Sequence, residues 1–309
     1  MRTIHVFGSI NLDFTFHIPR LPEQGETLMS DDFHTSPGGK GANQAVAAAR
    51  QDVQTVMLGA LGSDGPSEKL REALADSGID VSHVQRLKNE HAGVAAILIE
   101  GNDNRIVITP GANHKVAEEP LLHALREAKA GDILLSQLEV PLPSIRKVFA
   151  EAKHRGLYTI LNAAPAAKLP ASLYADIDLL ALNEAEANHL LAGRPEAAKS
   201  AEDMASRLLH NGAQAVLITL GGKGSLFMDA GRTYRVPAYA VKTVDTTAAG
   251  DAFLGTLAAR LADSEKMQTA LGYASAAAAV TVSRAGAQKA IPFRKEVERF
   301  MKTTQEESS

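Results

Sequence analysis

The feature that most constrains this chain is a rhythm in its second half, where short apolar runs alternate with helical patterns. Ile133 to Gln137, Tyr158 to Leu161, Leu179 to Leu182 and Val216 to Leu220 are such runs, and the segments 142–155, 184–192 and 200–211 carry helical spacing. A strand that is apolar along its whole length has both faces buried, and strand–helix alternation feeds a parallel sheet. The expected fold class is therefore α/β: a doubly wound, mainly parallel central sheet flanked by helices. A length of 309 residues suits one large core with a small appendage, so a single domain over 1–309 is expected.

The first third reads differently. Thr3 to Phe7 is a buried-strand candidate followed by GSINLD; then Phe14, Phe16 and Ile18 alternate with Thr15 and His17, the period of a strand with one covered face. Pro19 and Pro22 mark a loop, and TSPGGKGAN reads as a turn into a helix with apolar face Ala42, Ala45, Val46 and Ala49. Thr55 to Leu58 is another buried strand, and Glu68 to Ser77 a helix stopped by Gly78. Segments 93–100 and 105–109 flank Gly101-Asn102-Asp103-Asn104 as a hairpin. Half-covered strands do not belong in a doubly covered sheet, so residues of about 13–34 and 91–110 are expected to form a small β-sheet lid. An Ala-rich helix over about 266–284, a turn at Gly286, a short helix from near Pro292 and a frayed polar tail, TTQEESS, complete the expectation.

Composition narrows the function. The net charge is −4 and no run of Lys or Arg is present, so neither nucleic acid nor a membrane surface is an expected partner; a small molecule is. The absence of cysteine excludes disulfides, thiolate metal sites and cysteine nucleophiles. The start, MRTIHVFGSI, lacks the apolar core of a signal peptide and no stretch is long enough to span a bilayer, which leads to an expectation of a cytoplasmic protein.

The chemistry points to VDTTAAGDAFLGTLAARL, residues 244–261. Phe253, Leu254, Leu257, Ala258 and Leu261 recur at helical spacing, so a helix starts between Ala248 and Gly250. Its first N–H groups lack intrahelical acceptors and make an anion site, which the small side chains of Ala248, Ala249 and Gly250 leave uncovered. Asp251 stands beside it. Asp also simply favours helix starts, so this stretch alone does not choose between a cap and a functional carboxylate. In open parallel sheets ligands bind beyond the carboxyl ends of strands, and Asn11, Asp13, Glu139, Asn183, Glu186 and Thr219 with LGGKG all follow apolar runs. Each is an ordinary turn residue; jointly they mark a site.

Known signatures exclude alternatives. Gly39-Lys40 and Gly222-Lys223 are followed by Gly, so neither is a P-loop; Gly59, Gly62 and Gly65 have the wrong spacing for a dinucleotide fingerprint. No H-E-x-x-H occurs among the ten histidines.

Taken together, GSINLD, PGGKGANQAVAAAR, QLEVPL, NEAE, TLGGKGS and DTTAAGDAF resemble, in order and spacing over nearly the whole chain, the ribokinase-like (PfkB) carbohydrate kinases. The resemblance implies transfer of the ATP γ-phosphate to a sugar hydroxymethyl group, D-ribose being the expected acceptor ahead of 2-deoxyribose, a ketose or a nucleoside. It implies Asp251 as general base with the amides of Ala248, Ala249 and Gly250 at the oxyanion. Asn11, Asp13, Gly38, Gly39, Lys40, Asn43 and Glu139 match positions around the sugar. Asn183 and Glu186 match a motif organising Mg2+, usually through water. Asn183, Thr219, Gly221, Gly222, Lys223, Gly224, Gly250 and Ser275 match nucleotide positions; Asp245, Thr247, Thr281, Arg284 and Gly286 match a K+ site. A homodimer formed through the lid is also implied. Two residues depart from the family pattern: Ala290 stands where Ser is common near the cation, and Ser275 where His or Asn commonly stacks near adenine. A sugar sensor without catalysis is the alternative class, and the retained Asp251 with its AAG run argues against it.

Overall fold

The computed structural model describes residues 2–101, 103–192, 198 and 200–307. From the N-terminus the elements are β1 (Ile4–Phe7), β2 (Asn11–His17), β3 (Asp32–Gly38), α1 (Lys40–Ala49), β4 (Thr55–Leu61), α2 (Gly65–Asp76), β5 (Val84–Arg86), β6 (Gly93–Glu100) and β7 (Asp103–Thr109). Then follow α3 (Glu118–Ala124), β8 (Ile133–Gln137), α4 (Leu142–His154), β9 (Tyr158–Asn162), α5 (Ala171–Tyr174), β10 (Leu179–Asn183), α6 (Glu184–Leu191) and α7 (Ala201–His210). The chain closes with β11 (Ala215–Thr219), β12 (Ser225–Asp229), β13 (Thr233–Val236), α8 (Ala249–Ala262), α9 (Met267–Val282) and α10 (Arg294–Glu307).

Nine strands form one sheet in the order β13-β12-β11-β10-β9-β8-β1-β4-β5, parallel except for the antiparallel edge pair β12 and β13. Alternate residues of its strands enter two separate cores. Ile133 and Leu135 pack with α1, α8 and α9 through Val46, Leu254 and Leu271, whereas Leu134 and Leu161 pack with α4 and α7 through Phe149 and Leu208. This is the doubly wound α/β sheet expected from the apolar runs.

The small sheet is β3-β2-β6-β7, joined through a parallel β2–β6 pair with antiparallel partners outside. It is larger than expected, because TSPG belongs to β3 and is not a turn. Pro37 is tolerated there because β3 is an edge strand. The covered face of β2 is also the opposite of the apolar one: Asn11, Asp13 and Thr15 are buried, whereas Phe14 and Phe16 are half-exposed.

Other expectations change in detail. The hairpin at 101–104 is present as the β6–β7 pair, although Asn102 lies outside the described residues. The last helix is long: α10 runs to Glu307 and takes in most of the tail expected to fray, while Ser308 and Ser309 lie outside the described residues. No helix among the described residues is long and apolar enough to cross a membrane.

Candidate active site

The site begins where α1 and α8 cross. A Cβ on Gly255 would lie 2.4 Å from the carbonyl of Gln44 and 2.5 Å from the Cβ of Ala47, so a bare α carbon lets the two helices touch backbone to side chain. One turn earlier on the same face of α8 is Asp251, which therefore meets α1. Asn43 Nδ2 donates to its Oδ2 at 3.0 Å, and Gln44 Nε2 donates to its Oδ1 at 2.9 Å. Asp251 is buried with 7 % exposure, and burial pushes its carboxyl up against the opposing pull of Lys40 and the two amide donors. A carboxylate so desolvated yet still ionisable is a competent proton acceptor. Helix α8 is buried around nearly its whole circumference, from Asp251 to Arg260, where the spacing predicted a single apolar face.

The mouth of α8 is strained and open. Ala248, the residue before the helix, has φ 60, a left-handed conformation that costs a side-chain-bearing residue about 1 kcal/mol or more. The amide of Ala249 donates to Thr246 at 3.2 Å, so that expected oxyanion donor is taken. No backbone carbonyl among the described residues takes the amides of Ala248, Gly250 or Asp251, and a Cβ on Gly250 would meet nothing within 4 Å. The amides left free at the mouth of α8 among the described residues are therefore those of Ala248, Gly250 and Asp251 itself.

The small sheet brings the second group of residues to the same place. A Cβ on Gly38 would strike the Asp13 carboxylate at 2.0 Å, and one on Gly93 would strike Asn11 Oδ1 at 2.1 Å; each glycine is the space its polar neighbour occupies. Gly39, at φ 88, turns the chain from β3 into α1 against the backbone of Ser9 and Asn11. Lys40 opens α1, and its amide donates to Glu139 Oε2 at 3.1 Å, an oxygen that also accepts from Ser9 Oγ at 2.5 Å. Asp13 is pushed up to about 7, first by burial and then by the nearby charges of Glu139 and Asp251. Burial alone would lower Lys40, but the surrounding Asp251, Glu139, Glu186 and Asp13 carboxylates outweigh it and raise it.

Two more groups flank this centre. Asn183 and Glu186 form a reciprocal cap on α6: Glu186 N donates to Asn183 Oδ1 at 2.8 Å and Asn183 N to Glu186 Oε2 at 2.8 Å. Burial raises Glu186, against the pull of Asn183 and Lys40. The glycine loop after Thr219 has Gly221 and Gly222 in open space, whereas a Cβ on Gly224 would strike Val236 O at 2.0 Å. Ser275 donates to Pro237 O at 3.1 Å, so the segment 236–238 lies between Gly224 and Ser275. Ser275 is buried with its hydroxyl engaged, which distinguishes it from a side chain open for stacking.

The chain matches the model of the pfkB family carbohydrate kinases over residues 1–294. It belongs to this family. The kinase is 36 % identical over 301 residues to the ribokinase of Haemophilus influenzae, covering 97 % of this chain and 98 % of that one. It is 34 % identical over 292 residues to the deoxyribokinase of Salmonella typhi, covering 94 % and 95 %. Among solved structures, the ribokinase of Thermotoga maritima superposes with a TM-score of 0.90 at 34 % identity, covering 98 % of this chain and 100 % of that one. Arabidopsis thaliana ribokinase complexed with ribose and ATP gives 0.88 at 32 % identity, covering 97 % and 98 %.

Four residues of this kinase site escaped the sequence reading. Gln44, fully buried, donates to both Asp251 and Asn162 Oδ1 (3.1 Å) and accepts from Gln137 Nε2 at 2.7 Å; Asn162 is anchored in turn on Ala181 O at 3.2 Å. Asn113 grips Asn11 Oδ1 at 2.8 Å while pairing with the backbone of Ile10. Gln44 adjoins Asn43 in PGGKGANQAVAAAR and Gln137 opens QLEVPL, but Asn113 and Asn162 sit in segments whose polarity carries no local signal.

The residues expected to hold K+ come together in part. Asp245 accepts from Thr247 N and Gly286 N, both at 2.9 Å, and these bonds outweigh burial to hold it below the usual carboxylate range. Thr281 gives its hydroxyl to Ala277 O at 2.8 Å, and Arg284 pairs with Glu296 at 2.7 Å, so these two side chains are committed elsewhere. Ala290 is buried and brings no side-chain oxygen.

Proposed function

We infer that this carbohydrate kinase transfers the γ-phosphoryl group of ATP to the primary 5-hydroxyl of D-ribose, giving ribose 5-phosphate and ADP. The observation that supports this reading best is the convergence of Asp251, Asp13, Glu139 and Lys40 beside the open amides of α8. Asp13, Asn11 and the side-chain-free backbone at Gly38 and Gly39 suit paired hydroxyls, with Lys40, Asn43 and Glu139 closing the ring. Asp251 Oδ takes the proton of the primary hydroxyl as its oxygen bonds to phosphorus and the bond to the ADP oxygen breaks. Ala248, Gly250 and Asp251 amides face the charge that develops on the phosphoryl oxygens. The glycine loop from Thr219 to Gly224, with Lys223, suits the nucleotide. The small sheet serves as a lid that carries Asn11 and Asp13 over the sugar and excludes water as a competing acceptor.

Mg2+ fits at Asn183 and Glu186, since Glu186 keeps one carboxylate oxygen without a donor among the described residues; when bound it neutralises phosphate charge. The monovalent-cation loop around Asp245 retains its charge but relies on backbone oxygens, so weak K+ activation is expected, sharpened by Ala290→Ser. The lid's apolar outer face supports a homodimer, which light scattering at micromolar concentration tests.

The substrate reading is tested by ADP release over a panel of D-ribose, 2-deoxyribose, fructose and adenosine. Ribose should have the highest kcat/KM, because a buried polar group left unpaired by a missing hydroxyl costs about 1–3 kcal/mol. Higher kcat/KM on 2-deoxyribose would overturn ribose and keep the kinase; no ADP release with any sugar would favour a sensor.

A further inference from the structure

Away from the kinase centre, the outer end of β2 and β3 gathers three metal-ligating side chains. The antiparallel register sets His17 opposite Asp32 and Thr15 opposite His34, so all three ligands lie on one face of the ladder. One donor atom from each of His17, Asp32 and His34 lies within 4.8 Å of the others, and the two imidazoles stack at 6.0 Å. His17 is half-buried, and Asp32 and His34 are exposed. None of the three side chains has a hydrogen-bond or ion-pair partner among the described residues, so all three are available to a ligand. A four-coordinate ion with bonds of about 2 Å needs its ligand atoms roughly 3.3 Å apart, a distance that side-chain rotation at an exposed strand end can reach.

We propose that His17, Asp32 and His34 form a site for a borderline divalent transition ion, Zn2+ in the first instance. Two imidazoles and one carboxylate suit Zn2+, Co2+ or Ni2+ and not the all-oxygen preference of Mg2+. The ion would sit at the root of the connection 18–31, where Asp31 N already donates to His17 O at 2.7 Å. It joins the strand leaving the sheet to the strand returning to it. That connection is long for one without regular structure, and its own ties are few, chiefly the Arg20–Glu26 pair. His17 also shares a strand and a face with Asp13, so the clamp stiffens the sheet that carries Asp13.

The test uses the untagged, metal-stripped full chain without nucleotide, titrated with Zn2+ against a chromophoric chelator. One ion per chain should bind in the micromolar range or tighter. Excess Mg2+ should not compete, and Co2+ should give a visible absorption spectrum. His34→Gln and Asp32→Asn should each weaken binding at least tenfold, with melting in chelator unchanged because both positions are exposed. Absence of stoichiometric binding overturns the site. Binding undiminished in both variants overturns it equally, by placing the ion elsewhere.

Discussion

The two sheets of this kinase bury opposite kinds of surface. In the large sheet Ile133, Leu134 and Leu135 are all buried, each in an apolar core. In the small sheet the buried side of β2 is Asn11, Asp13 and Thr15, while Phe33 and Val107 stand on the outer side at 48 % and 67 % exposure. Burial in the first sheet stabilises the fold. In the second it desolvates carboxylates at a cost in stability, and such a cost persists where the groups have something to bind.

Five substitutions probe that contrast. The largest effect is expected at Asp251→Asn, which keeps size and much of the hydrogen bonding but removes the proton acceptor. Turnover should fall by about two to four powers of ten with ribose and ATP affinities within about tenfold of the parent, measured by coupled assay and calorimetry on one preparation. A loss below about tenfold in turnover would show that Asp251 is not the base.

Leu135→Ala against Val107→Ala compares the two apolar surfaces directly. The first should cost about 2–5 kcal/mol in denaturant unfolding through lost burial and a cavity, the second no more than about 0.5 kcal/mol in dilute protein. Equal costs would mean that the outer face of the small sheet is core after all.

Asp13→Asn separates binding from stability. Asp13 is held at about 7, above its ordinary 3.8, so the folded chain keeps the proton more tightly than the unfolded one. Stability linked to this group therefore declines as pH climbs from 3.8 to about 7. The variant should gain in melting temperature relative to the parent as pH rises through that window, while its sugar affinity at pH 8 falls by roughly tenfold to a hundredfold through loss of a charged acceptor. A parent whose ribose affinity does not change across the window would remove Asp13 as an ionised acceptor.

Gln44→Leu should have the smallest effect on rate, about tenfold at neutral pH. Removing a donor to the ionised carboxylate raises Asp251 further, so the acid limb of kcat should move to higher pH. A lower kcat with an unmoved acid limb would reduce Gln44 to a packing residue.

Much of this molecule was legible in its residues. Continuous apolar runs can exist only where both strand faces are covered, so the doubly wound sheet followed from the runs at 133–137, 158–161, 179–182 and 216–220. Small residues ahead of Asp251 likewise located the helix mouth, because backbone amides are uncovered only where side chains are absent. What local pattern could not contain was decided by packing. A period of two says that one face of β2 is covered, not which, and only the sheet's placement over the helix ends turned the polar face inward. The same holds for Gln44, Gln137 and Asn162: each is an ordinary amide in its own segment, and they become one network, in which Gln44 accepts from Gln137 and donates to Asn162 and Asp251, only because the bare α carbon of Gly255 lets α8 settle against α1.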